Sequence, residues 1–169
     1  MGKQRLRKLV KEERKKLDIK TLSNKLVEKL KLTNEYKQAK NIMIFYPKGD
    51  EINLLSLLED KSKNFFLPKI KGDNLLCCPY AQEDELYDSC FKTKEPLSEP
   101  VEKNIIDLVI VPALAVDKNN FRLGYGGGFY DRFLSDISAK KIVCIQAEFV
   151  FETVYPEIYD IRIDKVITI

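Results

Sequence analysis

No histidine occurs among the 169 residues, which removes the side chain most often used to move protons near neutrality and the commonest transition-metal ligand. Chemistry in this chain has to rest on carboxylates, lysines, tyrosines and bound ions. The four cysteines, Cys77, Cys78, Cys90 and Cys144, form no Cys-x-x-Cys pair, so neither a zinc site nor a redox motif is suggested. No apolar run approaches the roughly 20 residues that span a bilayer, and no apolar signal segment opens the chain. These absences predict a cytoplasmic protein with reduced thiols and no membrane association. Charge of one sign is missing as well: 29 basic and 26 acidic side chains leave a net +3, so global electrostatics do not announce a nucleic-acid partner.

What is present is enough apolar material, 44% hydrophobic and 10% aromatic, to bury one sizeable core; a single domain over residues 1–169 is expected. Apolar positions recur at helical spacing over 3–17 (Leu6, Leu9, Val10, Leu17) and over 21–32 (Leu22, Leu26, Val27, Leu30), with Asp18 as a break or cap between them. A short helical stretch over 36–40 follows. Residues 41–46 form a compact apolar run closed by Pro47 and Gly49, the pattern of a buried strand, and 52–58 reads as a helix packed on it. Strand patterns return at 64–67, 75–78, 107–111, 141–147 and 165–169. Residues 80–104 carry Glu-Pro pairs without period and read as an irregular excursion. Covered apolar strands between helices predict an α/β fold in three layers, with a mostly parallel central sheet and Rossmann-like topology.

The most informative stretch runs from Asp107 to Asp117 and on through Arg122-Leu123-Gly124-Tyr125-Gly126-Gly127-Gly128-Phe129-Tyr130-Asp131-Arg132. A strand feeds a glycine-rich loop, and a helix follows. Glycines leave backbone N–H groups unshielded, so such a loop can close around phosphate oxygens. Arg122 and Arg132 flank it and can add charge-assisted bonds, while Asp131 can hold a Mg²⁺ that bridges phosphates. The spacing is neither GxGxxG, since Phe129 stands where the third glycine belongs, nor a P-loop. A glycine cluster also fits a plain tight turn. The arginines, Tyr130 and Asp131 that bracket this one favour function over that reading.

Pro112, Asp117 and the run 122–132 together resemble the signature of the 5-formyltetrahydrofolate cyclo-ligases, and the resemblance extends over nearly the whole chain. Lys3-Gln4-Arg5-Leu6-Arg7 is similar to the family's N-terminal Lys-x-x-Leu-Arg element, which implies that Lys3 and Arg7 meet ATP phosphates; a solvated helix face is the competing account of so basic a segment. Residues 45–52 resemble the folate-side loop, implying Glu51 as the pterin-binding acid and Tyr46 as a pocket wall. An ionised carboxylate suits the paired N–H donors of an aminopyrimidine edge, although an acid there could instead start a helix. Residues 65–69 resemble a strand ending in Pro followed by a base, so that Lys69 approaches a phosphate. Residues 155–168 resemble the closing motif, implying Asp160 as a second Mg²⁺ ligand. Tyr159 stands where many members have histidine, and Phe129 where they have tyrosine.

The resemblance therefore implies ATP and Mg²⁺ as co-substrate and cofactor, and closure of 5-formyltetrahydrofolate to the 5,10-methenyl form by a monomer acting on small molecules. Arg122, Tyr130 and Asp131 are the catalytic candidates. Lys3, Arg7, Arg122, Gly124, Gly126, Gly127, Gly128, Tyr130 and Arg132 are the ATP candidates; Tyr46, Glu51, Tyr125 and Phe129 are the folate candidates; Asp131 and Asp160 are the metal candidates. Phosphoryl transfer needs alignment and charge neutralisation more than a histidine base. Two rivals stay open at this point: another phosphate-handling enzyme on a similar scaffold, such as a sugar-phosphate isomerase or a CoA-transferase-like protein, and a module whose basic N-terminal helix binds RNA or another polyanion.

Overall fold

A computed structural model describes residues 1–169. Three helices come first: α1 (Lys3–Arg14), α2 (Ile19–Lys31) and α3 (Asn34–Gln38). Asp18 is the cap of α2, accepting from the Thr21 N–H at 3.2 Å, so that helix begins earlier than its apolar period alone indicates. Thr33 caps α3 in the same way through the Tyr36 N–H. The strands of the main sheet are β1 (Asn41–Met43), β2 (Asn64–Lys71), β3 (Asn74–Tyr80), β6 (Leu108–Ile110), β9 (Lys140–Ile145) and β11 (Lys165–Thr168). Between them lie a hairpin of β4 (Leu86–Asp88) and β5 (Lys94–Pro96), and a second small sheet of β7 (Ala115–Asp117), β8 (Arg122–Leu123) and β10 (Val150–Phe151). The last helix, α4 (Phe129–Leu134), follows the glycine loop.

The six-stranded sheet runs β11-β9-β6-β1-β2-β3, and every pairing is parallel except β2 with β3. Alternate side chains of each strand enter opposite layers. Met43, Phe66, Val109 and Val143 join Leu6 and Val10 of α1 and Phe133 and Leu134 of α4 on one face. Ile42, Ile44, Phe65, Leu67, Leu108, Ile110 and Ile142 join Leu26, Val27 and Leu30 of α2 and Tyr36 of α3 on the other. The three layers expected from sequence are present.

Two readings need correction. Residues 52–58 do not form an α-helix: only a 3-10 turn, Leu55–Glu59, is made there. After β2 the chain turns back in a hairpin at Gly72, whose φ of +61° suits glycine, so β3 is an antiparallel edge. The excursion 80–104 contains the β4–β5 hairpin.

Among the parallel strands the order is β2-β1-β6-β9-β11. The chain steps one way from β1 to β2, then reverses to β6. Connections at the carboxyl ends of β1 and β6 therefore diverge, and that divergence opens the crevice where open α/β sheets bind ligands.

Candidate active site

A cavity of about 570 Å³ lies at this switch point, a volume suited to small-molecule ligands. The segment after β1 supplies Tyr46, Lys48 and Glu51; Pro112, after β6, supplies another wall; the glycine loop, α1 and the 157–160 turn complete it. Sequence separations of more than 150 residues are bridged: Lys3 Nζ donates to Asp160 Oδ2 at 2.6 Å and lies 3.4 Å from Glu157 Oε1.

The glycine loop is held open by its surroundings. Gly126 and Gly128 have φ of +112° and +71°, conformations that L side chains rarely adopt. The N–H groups of residues 124–128 donate to no protein acceptor, which leaves a run of adjacent bare donors. Arg7 Nε donates to Gly124 O at 2.8 Å, and its guanidinium lies against Gly126. Arg122 is only 8% exposed. Its Nη1 donates to Pro112 O at 3.0 Å, its Nη2 lies 3.7 Å from Asp131 Oδ2, and its Nε has no partner. Burial pulls its pKa down, opposed by Asp131, Tyr130 and Asp160; a guanidinium nonetheless stays charged. Concentrated positive charge beside unpaired N–H donors suits a polyphosphate.

At the other end Glu51 is 6% exposed. One carboxylate oxygen accepts from the Lys48 N–H at 2.7 Å. Burial pushes its pKa up, while the Lys48 hydrogen bond, the Arg14 charge and the Tyr125 hydroxyl pull the other way. Burial likewise raises the phenols of Tyr125 and Tyr130, keeping both neutral. Phe129 meets Phe91 edge-on with ring centroids 5.7 Å apart, and the Thr93 hydroxyl donates to Tyr46 O at 3.4 Å. The β4–β5 hairpin thus walls this end. A buried acceptor framed by aromatic rings can grip a flat heterocycle by its donor edge.

The site residues expected from sequence border this cavity, except Arg132 and Lys69. Arg132 instead donates to Asp73 O through Nε and Nη2 and to Gly127 O through Nη1, at 2.9–3.1 Å, and so ties the glycine loop to the β2–β3 turn. Lys69 also stands apart, donating to Ser98 O at 3.1 Å. Asp117 is a turn anchor that accepts from the N–H groups of Asn119, Phe121 and Val154. Sequence reasoning missed Lys48, Phe91 and Glu95 of the lining, and Arg14 behind it, which donates to the Tyr125 hydroxyl at 3.4 Å. For Arg14 the signal was available, since it follows Arg7 by seven residues and so shares its helix face; Phe91 and Glu95 lie in a segment without period.

No group of three ligand-type side chains is assembled anywhere in the chain. Asp131 and Asp160 do border the same cavity. Mg²⁺ keeps much of its water and is often held by one or two carboxylates plus substrate phosphates; here each carboxylate faces a protein cation, Asp160 with Lys3 Nζ at 2.6 Å and Asp131 with Arg122 Nη2 at 3.7 Å.

An open parallel sheet with a switch-point cleft, a bare glycine loop and buried guanidinium groups defines an α/β enzyme for an anionic small-molecule substrate. The family model for the 5-formyltetrahydrofolate cyclo-ligase family matches residues 1–169. The solved structure of Aquifex aeolicus 5,10-methenyltetrahydrofolate synthetase superposes with a TM-score of 0.88 at 31% identity, covering 99% of this chain and 90% of that one. A 5-formyltetrahydrofolate cyclo-ligase of Haemophilus influenzae is 31% identical over 64% of this chain and 63% of its own length, and one of Mus musculus is 27% identical over 98% and 88%. The chain belongs to the 5-formyltetrahydrofolate cyclo-ligase family, and it is an enzyme of the ligase class.

Proposed function

We propose that this chain closes 5-formyltetrahydrofolate to 5,10-methenyltetrahydrofolate at the expense of ATP, releasing ADP and phosphate. The observation that carries this reading is one cavity bordered both by a loop of unpaired N–H donors and by a buried carboxylate at its aromatic end. The formyl oxygen attacks the γ-phosphorus and ADP leaves. N10 then attacks the activated carbon and loses its proton, and the carbon–oxygen bond to phosphate breaks. Lys3, Arg7 and Arg122 neutralise the polyphosphate, and the glycine N–H groups orient it. Asp131 and Asp160 would hold Mg²⁺, which would offset the charge of the phosphates. Tyr130 lies under the Arg122 guanidinium, 5.5 Å from it, and keeps that group aimed at the transferring phosphate. Glu51 binds the pterin edge, with Tyr46, Tyr125 and Phe129 as walls. The enzyme works in the cytoplasm as a monomer.

The direct test mixes the protein with ATP, Mg²⁺ and 5-formyltetrahydrofolate and follows the near-ultraviolet absorbance of the methenyl product. Product should form only when all three are present; no product from folded protein overturns the reading.

A further inference from the structure

Lys3 opens α1, whose first turn contains no acidic residue, and the dipole of a helix disfavours a cation at that end. Its acceptors come from the far end of the chain. Nζ donates to Asp160 Oδ2 at 2.6 Å and lies 3.4 Å from Glu157 Oε1. The Lys3 side chain is 17% exposed and that of Asp160 7%, so this is a sheltered pair, and solvent ions screen it little. The same Oδ2 also accepts from the Glu157 N–H at 2.9 Å. A carboxylate oxygen has two lone pairs, and both of this one's are taken.

The second acid is engaged more loosely. Asp131 Oδ1 accepts from the Ile161 N–H at 3.2 Å, and Oδ2 stands 3.7 Å from Arg122 Nη2, beyond hydrogen-bond reach. Three carboxylates, Glu157, Asp160 and Asp131, therefore face two cations, Lys3 and Arg122. A divalent ion that arrives alone meets an occupied Asp160 oxygen and the repulsion of both cations. A nucleotide that arrives with its ion brings phosphate oxygens able to take Lys3 over. An ammonium with three donors on a flexible stem changes acceptor by side-chain rotation alone, and Lys3 itself borders the cavity.

We propose that Lys3 is an exchangeable counter-ion: it holds Asp160 in the free enzyme and passes to the polyphosphate when nucleotide and Mg²⁺ enter together, so that Asp160 accepts the metal only in the company of nucleotide. This rests on the assignment of Asp160 to Mg²⁺ and of Lys3 to the nucleotide. The exchange keeps free divalent ions off the site, and it keeps the 157–160 turn in place before either ligand arrives.

The test is Mn²⁺ binding without nucleotide, followed by the electron paramagnetic resonance signal of the free ion, on the wild-type chain, K3M, K3R and K3M/D160N. Mn²⁺ stands in for Mg²⁺ as a cation that takes oxygen ligands. K3M should bind Mn²⁺ about tenfold or more tightly than the wild type, the scale of one charge-assisted hydrogen bond that no longer competes. K3R keeps the charge and should stay near the wild type, and K3M/D160N should lose the gain. A merely structural staple predicts the opposite for K3M: a loosened turn and no gain in metal affinity. Equal Mn²⁺ binding by the wild type and K3M, or a gain that survives D160N, overturns the exchange. If K3M does not fold, K3Q carries the same comparison, because it removes the charge but keeps a donor for Asp160. Calorimetric titration of the wild type with Mg²⁺ and a non-hydrolysable ATP analogue separates this inference from the reading beneath it. No binding of that pair overturns the nucleotide assignment, whereas binding of the pair with no metal gain in K3M overturns the exchange alone.

Discussion

Gly128→Ala separates the two ends of the cavity in a single experiment. Gly128 has φ +71° and ψ 7° and opens α4. An alanine in this left-handed region costs about 1–2 kcal/mol. Its Cβ would also sit 2.6 Å from Arg132 Nη1, so the guanidinium must leave Gly127 O, and losing that hydrogen bond costs about 1 kcal/mol net. Together these oppose the present loop conformation by about 2–3 kcal/mol, which is a ceiling of roughly 30- to 150-fold on the rise in apparent ATP requirement. We expect a rise of about tenfold or more, because few protein hydrogen bonds hold the loop in its binding conformation. Initial rates of methenyl formation at varied ATP and saturating folate measure it. Gly49→Ala is the comparison. Gly49 also has positive φ, +60°, but nothing lies within 4 Å of its added Cβ, and it belongs to the loop that carries Glu51. It should raise the folate requirement and leave that for ATP unchanged. An unaltered ATP dependence in G128A, or equal ATP effects from the two glycines, refutes the reasoning.

Glu51→Gln should weaken folate binding yet melt at a higher temperature than the wild type at pH 7 to 8. The folded pKa of Glu51 lies above its ordinary 4.5, so ionisation opposes folding once the pH exceeds that value; the gap in melting temperature should close as the pH falls toward 4.5. Equal melting at pH 7.5 sinks the argument. Asp131→Asn keeps an acceptor for the Ile161 N–H, now bonded at 3.2 Å, but removes a charge; the Mg²⁺ needed for half-maximal rate should rise about tenfold with folate affinity unchanged, and an identical Mg²⁺ titration would remove Asp131 from the metal site. Arg122→Met should raise the ATP requirement sharply. Arg132→Met loses the same Gly127 O bond, so it should raise the ATP requirement by no more than about fivefold, well short of Arg122→Met, while lowering stability by roughly 1–2 kcal/mol; equal ATP dependence in the two would show that Arg132 does reach the nucleotide.

The layers of the fold were legible because Ile42-Met43-Ile44, Phe65-Phe66-Leu67 and Leu108-Val109-Ile110 are apolar on both faces, as only covered parallel strands are. The β2–β3 hairpin was not, since Gly72 and Asp73 look alike in a turn and in the start of a crossover. Strands as short as β7, β8 and β10 carry too few residues for a period to register. In the site, contiguous motifs brought most cavity residues into view. Arg132 lies outside the cavity because a motif gives order along the chain but not direction: its guanidinium reaches Asp73 O and Gly127 O. Phe91 and Glu95 were invisible because their hairpin owes its shape to contacts with Phe129 and Ile70, not to local pattern.

The Lys3–Asp160 contact gives the ligand a part in tertiary assembly. The first turn of the first helix and a loop near the last strand meet at this cleft through Lys3, Glu157 and Asp160, so a polyphosphate and cation bound there would act as a clasp on both segments. Amide hydrogen exchange in α1 and around residues 157–161 should slow together on nucleotide binding, and removing residues 1–3, Lys3 included, should leave a sheet that still folds but grips nucleotide poorly.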